Sequence, residues 1–142
     1  MRFADNETAQ ALMTAALDSI MNGIDAGGAG ELVITDTAFG GGTDLATLPF
    51  GATAYAGAAW SSGDNWTAAN LTDGTAIVES DAEATGTAAG FRIVSGAGTT
   101  LFEGSVTTTV VGTGDIELDS VSITATQTVT VTALEFRLPE GP

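Results

Sequence analysis

The chain has 142 residues and a formal net charge of −15, with eighteen carboxylates, three arginines, and no lysine, histidine or cysteine. This composition excludes an imidazole base, a thiolate nucleophile, a Schiff-base lysine and a zinc site of the usual cysteine and histidine type. We therefore expect no enzyme and no cofactor. The charge also argues against nucleic acid and anionic membranes as partners, because both would repel this surface.

One amphipathic helix is predicted over residues 5–24. Its apolar residues recur at the i, i+3, i+4, i+7 spacing that places them on one face. Asp5 or Asn6 can cap the first turn, and a glycine at 23 or at 27–28 offers the left-handed exit that ends a helix. The predicted apolar face consists of Ala9, Leu12, Met13, Ala16, Leu17, Ile20, Met21 and Ile24.

Beyond residue 30 the pattern changes to short runs rich in threonine and valine, separated by glycine. This pattern is typical of an antiparallel β-sandwich or barrel. We predict a mainly β fold, an antiparallel β-sandwich of jelly-roll or immunoglobulin-like type over residues 31–138. Together with the N-terminal helix it would form a single domain over residues 1–142.

The clearest early strands are predicted at residues 31–35 and 46–50. Pro49 restricts the second of them to a sheet edge or a strand end, because proline cannot donate to a ladder. Weaker strands are predicted at residues 76–79 and 86–89.

Residues 51–73 are rich in alanine and glycine and contain Tyr55, Trp60 and Trp66. This is the least regular part of the sequence. Long connections of this kind often form interaction surfaces, but the aromatic residues could equally fold back as a lid over the core, since tryptophan is common in both places.

A hairpin is predicted from residues 91–94 and 100–103, which alternate around a glycine-containing turn at residues 95–98. In this pairing Arg92 lies near Glu103. We expect an exposed cross-strand ion pair between them, with a structural role.

The last third of the chain continues the strand pattern. Residues 105–111 and 115–118 form the next predicted pair, and residues 121–125 alternate before a turn at residues 126–127. The apolar parity changes near Ala133, which a bulge or a change of sheet would explain.

The densest acidic group is Asp115, Glu117 and Asp119. On an extended strand this i, i+2, i+4 spacing projects all three carboxylates to one face. They could bind a cation, but no EF-hand spacing is present. We therefore favour a solvated strand face with Ile116 and Leu118 turned inward, and expect no metal.

Three parts of the chain resemble small virion structural proteins of tailed bacteriophages. They are the opening MRFADN before an alanine- and leucine-rich helix, the central GFRIV hairpin closing with FEGSV, and the final stretch from SITA to LPEG. The similarity covers both ends and the middle of the chain, and it includes no catalytic residue.

The resemblance implies a non-enzymatic head decoration (cement) protein on the outer surface of the virion head. Its partner would be the major capsid protein, and it would form a homo-oligomer, with a trimer favoured. We expect the helix and the tryptophan segment at its contacts. The candidate contact residues are Trp60, Trp66, Tyr55, Arg2 and Phe3, with Arg92 and Arg137 as further cationic anchors.

Two alternatives stay open. A tail or head-fibre component fits the same residues, and a calcium- or carbohydrate-binding β-module is the alternative from another class. An enzyme would need carboxylates alone to supply acid, base and nucleophile.

Overall fold

The computed structural model describes residues 6–51, 58–61, 66–70, 76–132 and 134–139. This part of the chain is mainly β, with a helix at its N-terminal side, as the sequence predicted. The elements are α1 (Asn6–Asn22), β1 (Glu31–Thr35), β2 (Asp44–Pro49), β3 (Ala58–Ser61), β4 (Trp66–Asn70), β5 (Ile77–Glu79), β6 (Gly86–Thr87), β7 (Gly90–Val94), β8 (Thr100–Thr108), β9 (Ile116–Leu118), β10 (Ser122–Ile123), β11 (Val129–Val131) and β12 (Glu135–Pro139).

Helix α1 confirms the predicted helix and ends in two steps. The backbone N–H of Gly23 donates to the carbonyl of Ile20 over 3.1 Å, which tightens the last turn. The helix stops at Asn22, where the first of the two predicted exits placed its end, but Gly23 is not left-handed. The left-handed conformation comes only at Gly27 (φ 86°), which belongs to the second predicted exit and lies beyond the last helical residue. A Cβ on Gly27 would also lie 3.0 Å from the Cβ of Ala97, which leaves no room for a larger residue.

Strand β1 lies inside a five-stranded sheet with the order β2-β1-β7-β8-β9. Leu32 of β1 stands opposite Leu48 of β2 and Ile93 of β7, and all three are fully buried. Strand β2 is an outer strand of this sheet, in agreement with the restriction that Pro49 imposes.

Strands β7 and β8 form the predicted hairpin, with Arg92 directly opposite Glu103. The prediction of an ion pair between these two residues is wrong. The Nη2 of Arg92 instead lies 2.7 Å from the Oδ2 of Asp44, and its Nη1 donates to the carbonyl of Gly40 over 2.8 Å. The guanidinium therefore binds one oxygen from the loop between β1 and β2, at Gly40, and one from the first residue of β2, at Asp44.

Strands β8 and β9 are neighbours as predicted, but they run parallel, so the sheet is mixed rather than purely antiparallel. Parallel neighbours usually need a crossover of a dozen residues or more. Here the connection folds back against β8. The backbone N–H of Gly114 donates to the Oγ1 of Thr107 over 2.9 Å, and the carboxylate of Asp115 accepts from the backbone N–H of Ser105 over 2.9 Å.

The remaining strands form three small ladders, β10-β6, β11-β5 and β12-β4-β3. The turn predicted at residues 126–127 is present, with Thr126 in the left-handed region (φ 69°). Strands β11 and β12 belong to different ladders, so the predicted change of sheet near residue 133 is confirmed. The description of residues 51–73 as irregular is wrong in part, because β3 and β4 lie within it.

The core joins the helix to several of these ladders. It is built almost entirely from aliphatic residues, as the scarcity of aromatic residues required, with Phe50 and Phe91 as its buried aromatic members. Helix α1 contributes Leu17 and Met21, and the turn that follows it contributes Ile24. The other large members are Leu32, Ile34, Leu45, Leu48, Ile77, Ile93, Val106, Ile116, Ile123, Val129, Val131 and Leu134.

Candidate interaction surfaces

The candidate contact residues fall partly outside the described chain. Arg2, Phe3 and Tyr55 lie outside the described residues. Trp60 and Trp66 lie on the paired strands β3 and β4, where Trp60 is in register with Thr67 and Trp66 with Ser61. Both strands contact helix α1. The two elements expected at contacts, the helix and the tryptophan segment, are therefore brought together.

The apolar residues of helix α1 form a broad arc, of which one part is buried in the core and another part is exposed to solvent. Leu17, Met21 and Ile24 are buried, whereas Leu12 is 52% exposed and Ile20 is 45% exposed. Residues 12, 16 and 20 follow one another at i, i+4 and i+8, so they form a row along the helix. Leu12, Ala16 and Ile20 are members of the predicted apolar face, and all three are exposed.

The exposed row continues beyond the helix. The side chain of Leu101 is also exposed, and its Cδ1 lies 3.8 Å from where a Cβ on Gly23 would stand. This places Leu101 beside the end of the helix, at Gly23. We call the four residues Leu12, Ala16, Ile20 and Leu101 the helix stripe.

Two further apolar sites are exposed in loops. Val110 is 93% exposed and Val111 is 58% exposed, in the connection between β8 and β9. Phe39 is 67% exposed and has a left-handed backbone (φ 59°), an uncommon conformation for a bulky residue. Its backbone N–H donates to the carbonyl of Gly104 over 3.1 Å, so the loop is tied to β8 while the ring faces solvent.

The acidic group on β9 has the predicted strand alternation. Asp115, Glu117 and Asp119 are exposed, Ile116 is buried and Leu118 is half-buried. The interpretation as a solvated strand face is therefore confirmed. Within the described part of the chain, no group of three or more carboxylates is arranged to hold a metal ion.

Asp115 is already engaged in a structural role. The backbone N–H of Ser105 donates to its Oδ2 over 2.9 Å, and the hydroxyl of Ser105 donates to the same oxygen over 2.8 Å. These two bonds favour the charged carboxylate and hold the pKa of Asp115 below its ordinary value. Asp36 is held similarly, because the backbone N–H of Thr43 lowers its pKa.

A groove of about 460 Å³ lies beside this acidic strand. One side is formed by residues 115–119 and the other by residues 130–132 with Leu134. Ile116, Val131 and Leu134 are buried members of the core, whereas the three carboxylates are exposed. The groove thus combines apolar residues with acidic ones.

Sequence reasoning missed the helix stripe and the groove for different reasons. The sequence does contain a sign of the stripe, because the apolar residues of α1 cover more of the helix circumference than packing against the core alone requires. The sequence contains no sign of the groove, because the groove depends on which strands lack a partner on one side.

Among the described residues, no helix is long and apolar enough to span a membrane.

Comparisons with known proteins give no relative. No protein-family model matches the chain, and neither the curated proteins nor the solved structures contain a significant match.

Proposed function

We propose that this chain is a non-enzymatic decoration (cement) protein of a tailed bacteriophage. It binds the outer surface of the virion head through the major capsid protein and stabilises the shell. The observation that carries the proposal is the helix stripe, an exposed apolar row on a protein whose net charge is −15.

The geometry of the stripe suits a contact with another protein surface. From Leu12 to Ile20 the row is about 12 Å long, given the rise of an α-helix, and Leu101 extends it. Isolated exposed apolar residues are common, but a continuous row of them is typical of interaction sites. Burying it supplies binding energy that does not depend on the charge of the partner.

The charge of the chain suits a position outside the shell. An outer-surface protein need not touch the packaged genome, so repulsion from nucleic acid has no cost there. Arg92 is bound to Asp44 and Gly40. Attraction to an acidic partner would thus fall to the other two arginines and the amino terminus, and apolar burial with backbone pairing must supply most of the affinity.

The proposal includes a homo-oligomer, with a trimer favoured, at symmetric positions of the shell. When each chain makes only a small contact with the shell, many copies bound at equivalent positions together stabilise the shell against internal pressure. Size-exclusion chromatography with light scattering tests the trimer, and a monomer at every concentration used would count against it.

An antiparallel β-sandwich of jelly-roll or immunoglobulin-like type is the finer fold that goes with this proposal. It is supported by the single core that the five-stranded sheet shares with the ladders β11-β5 and β10-β6. The parallel pair β8–β9 would be a local exception within it.

Antibody labelling of negatively stained virions tests the location. Gold particles distributed over the head are expected, and the label should disappear when the antibody is first incubated with an excess of the free chain. Label confined to the tail or to fibres would overturn the decoration proposal in favour of a tail or head-fibre component.

A further inference from the structure

The groove beside β9 runs along strand edges rather than across a sheet face. Alternate residues of a strand point to opposite faces, so a groove over a face would be lined by every second residue. Here all five residues from 115 to 119 line it, and on the other side residues 130, 131 and 132 do so as well. Residues 116–118 of these belong to β9 and residues 130 and 131 to β11, so consecutive residues of two strands border the groove. This indicates that their edges, rather than a sheet face, form its walls.

Both bordering strands have one side without a strand partner. Among the described strands, β9 is the last of the five-stranded sheet and pairs with β8 alone. Strand β11 pairs with β5 alone within the same described set. The free side of a strand presents backbone N–H and C=O groups that can pair with an added strand.

The side chains around the groove define what kind of strand would fit. Ile116, Val131 and Leu134 offer apolar contact, while Glu117 and Asp119 are exposed carboxylates along one border. Asp115 adds its negative charge there, although its Oδ2 accepts two hydrogen bonds from Ser105. No described residue that lines the groove is basic. A strand with alternating apolar and cationic side chains matches this pattern, because one parity would meet the apolar residues and the other the carboxylates.

We propose that this groove binds an extended, lysine- or arginine-bearing segment of a different protein by strand addition. Backbone pairing with the free edges gives affinity, and the acidic border selects the cationic side chains. A second copy of the chain fits poorly, because it carries a net charge of −15 and no lysine. The inference does not depend on the location of the protein in a virion.

The test uses the full-length chain and a fluorescein-labelled peptide of six residues, alternating arginine and valine, with blocked ends. Fluorescence anisotropy is measured at low ionic strength and again near physiological salt. We expect saturable binding that weakens as salt rises. A peptide with glutamate in place of arginine should not bind. Methylation of every second backbone nitrogen should weaken binding about tenfold, because it removes the donors needed for strand pairing.

Variants locate the site. Glu117→Lys reverses a charge on the groove border and should weaken binding of the arginine peptide about fivefold or more. Glu31→Lys is the matched control, because it makes the same change on an exposed residue of β1, which two other strands, β7 and β8, separate from β9. It should change the affinity less than about twofold.

Four results would overturn the inference. They are no binding at millimolar peptide, equal binding of the methylated peptide, equal effects of the two variants, and slow hydrogen exchange throughout residues 115–119 and 130–132 in the free protein. The last would mean that the groove is already filled, either by the chain itself or, if light scattering shows a dimer, by a second copy. These experiments contain no capsid, so their failure leaves the decoration proposal standing, and failure of head labelling leaves the groove proposal standing.

Discussion

Two leucines of helix α1 allow stability and partner binding to be separated. Leu17 is 2% exposed and packs in the core, whereas Leu12 is 52% exposed on the helix stripe. The substitutions Leu17→Ala and Leu12→Ala make the same chemical change in the same helix. Differences in helix propensity therefore cancel, and the remaining difference reports on what each side chain contacts.

The expected magnitudes differ clearly. Leu17→Ala removes a buried side chain and should lower the free energy of unfolding by about 3 kcal/mol, within the usual range for a leucine cavity. Leu12→Ala should cost less than about 1 kcal/mol, because half of that side chain remains in water in the folded state. For a chain of this size, about 3 kcal/mol corresponds to a fall in Tm of roughly 10 °C.

Partner binding should be affected more by substitutions on the helix stripe than by the substitution at Leu17, which is the opposite of the order for stability. Complete burial of a leucine or isoleucine side chain is worth roughly 1.5–3 kcal/mol, so the exposed halves of Leu12 and Ile20 could supply about 2 kcal/mol together. That corresponds to a loss of about thirtyfold in affinity for the double variant Leu12→Ser/Ile20→Ser. The single variant Leu17→Ala, measured below its Tm, should retain most of the affinity.

Urea unfolding followed by circular dichroism gives the stabilities, and co-sedimentation with expanded empty heads gives the affinities. Equal losses of stability at the two leucines would mean that Leu12 is packed within the chain and that the helix stripe is not free to bind. A stable Leu12→Ser/Ile20→Ser protein that binds heads as tightly as the wild type would refute the assignment of the stripe.

Three other substitutions test the structural account. Asp115→Asn should lower the free energy of unfolding by no more than about 1 kcal/mol near pH 7, because the pair with Ser105 is solvent-exposed. Since folding lowers the pKa of Asp115, its contribution is present above the unfolded-state pKa and is lost as pH falls through the folded-state pKa. Urea unfolding near pH 6 and near pH 3 should therefore show a difference between wild type and variant that shrinks in acid, and a constant difference would contradict this. Phe39→Asn should raise Tm by a few degrees, because asparagine tolerates the left-handed conformation better than phenylalanine; thermal unfolding that shows a lower Tm would mean that the Phe39 ring is packed. Gly104→Ala should lower the free energy of unfolding by about 1–3 kcal/mol in urea, because its Cβ would lie 2.5 Å from the Cε1 of Phe91, and a neutral effect would show that the hairpin can shift.

The parts of the fold that local sequence signals determine were predictable. The spacing of apolar residues gave helix α1, and alternation around a glycine turn gave the hairpin β7–β8. Pro49 restricted β2 to a sheet edge or a strand end, and β2 is an outer strand that ends at Pro49. The change of apolar parity near residue 133 indicated a bulge or a change of sheet, and the change of sheet is present. Each of these depends on a few neighbouring residues and on backbone geometry.

The features that were missed depend on contacts between distant residues. The direction of β9 follows from bonds that join Asp115 to Ser105 and Gly114 to Thr107, and nothing in the local pattern distinguishes this arrangement from a hairpin. Arg92 has a carboxylate opposite it in register, but it binds the carbonyl of Gly40 in the loop before β2 and the carboxylate of Asp44 at the start of β2.

The candidate surfaces were harder to predict than the fold. Strands of two or three residues, such as β6 and β9, show little periodicity, so an edge groove between short strands leaves almost no trace in the sequence. In helix α1 the apolar arc includes both Leu17 and Leu12. Periodicity identifies that arc, but only tertiary packing decides which part of it is covered.

The number of chains bound to each expanded empty head at saturation is the sharpest test of the decoration proposal. We expect a saturable ratio that matches the symmetry of the shell, with affinity reduced by Leu12→Ser/Ile20→Ser and unaffected by Glu31→Lys. Absence of binding, or binding that rises without saturation and is equal for all three proteins, would contradict it.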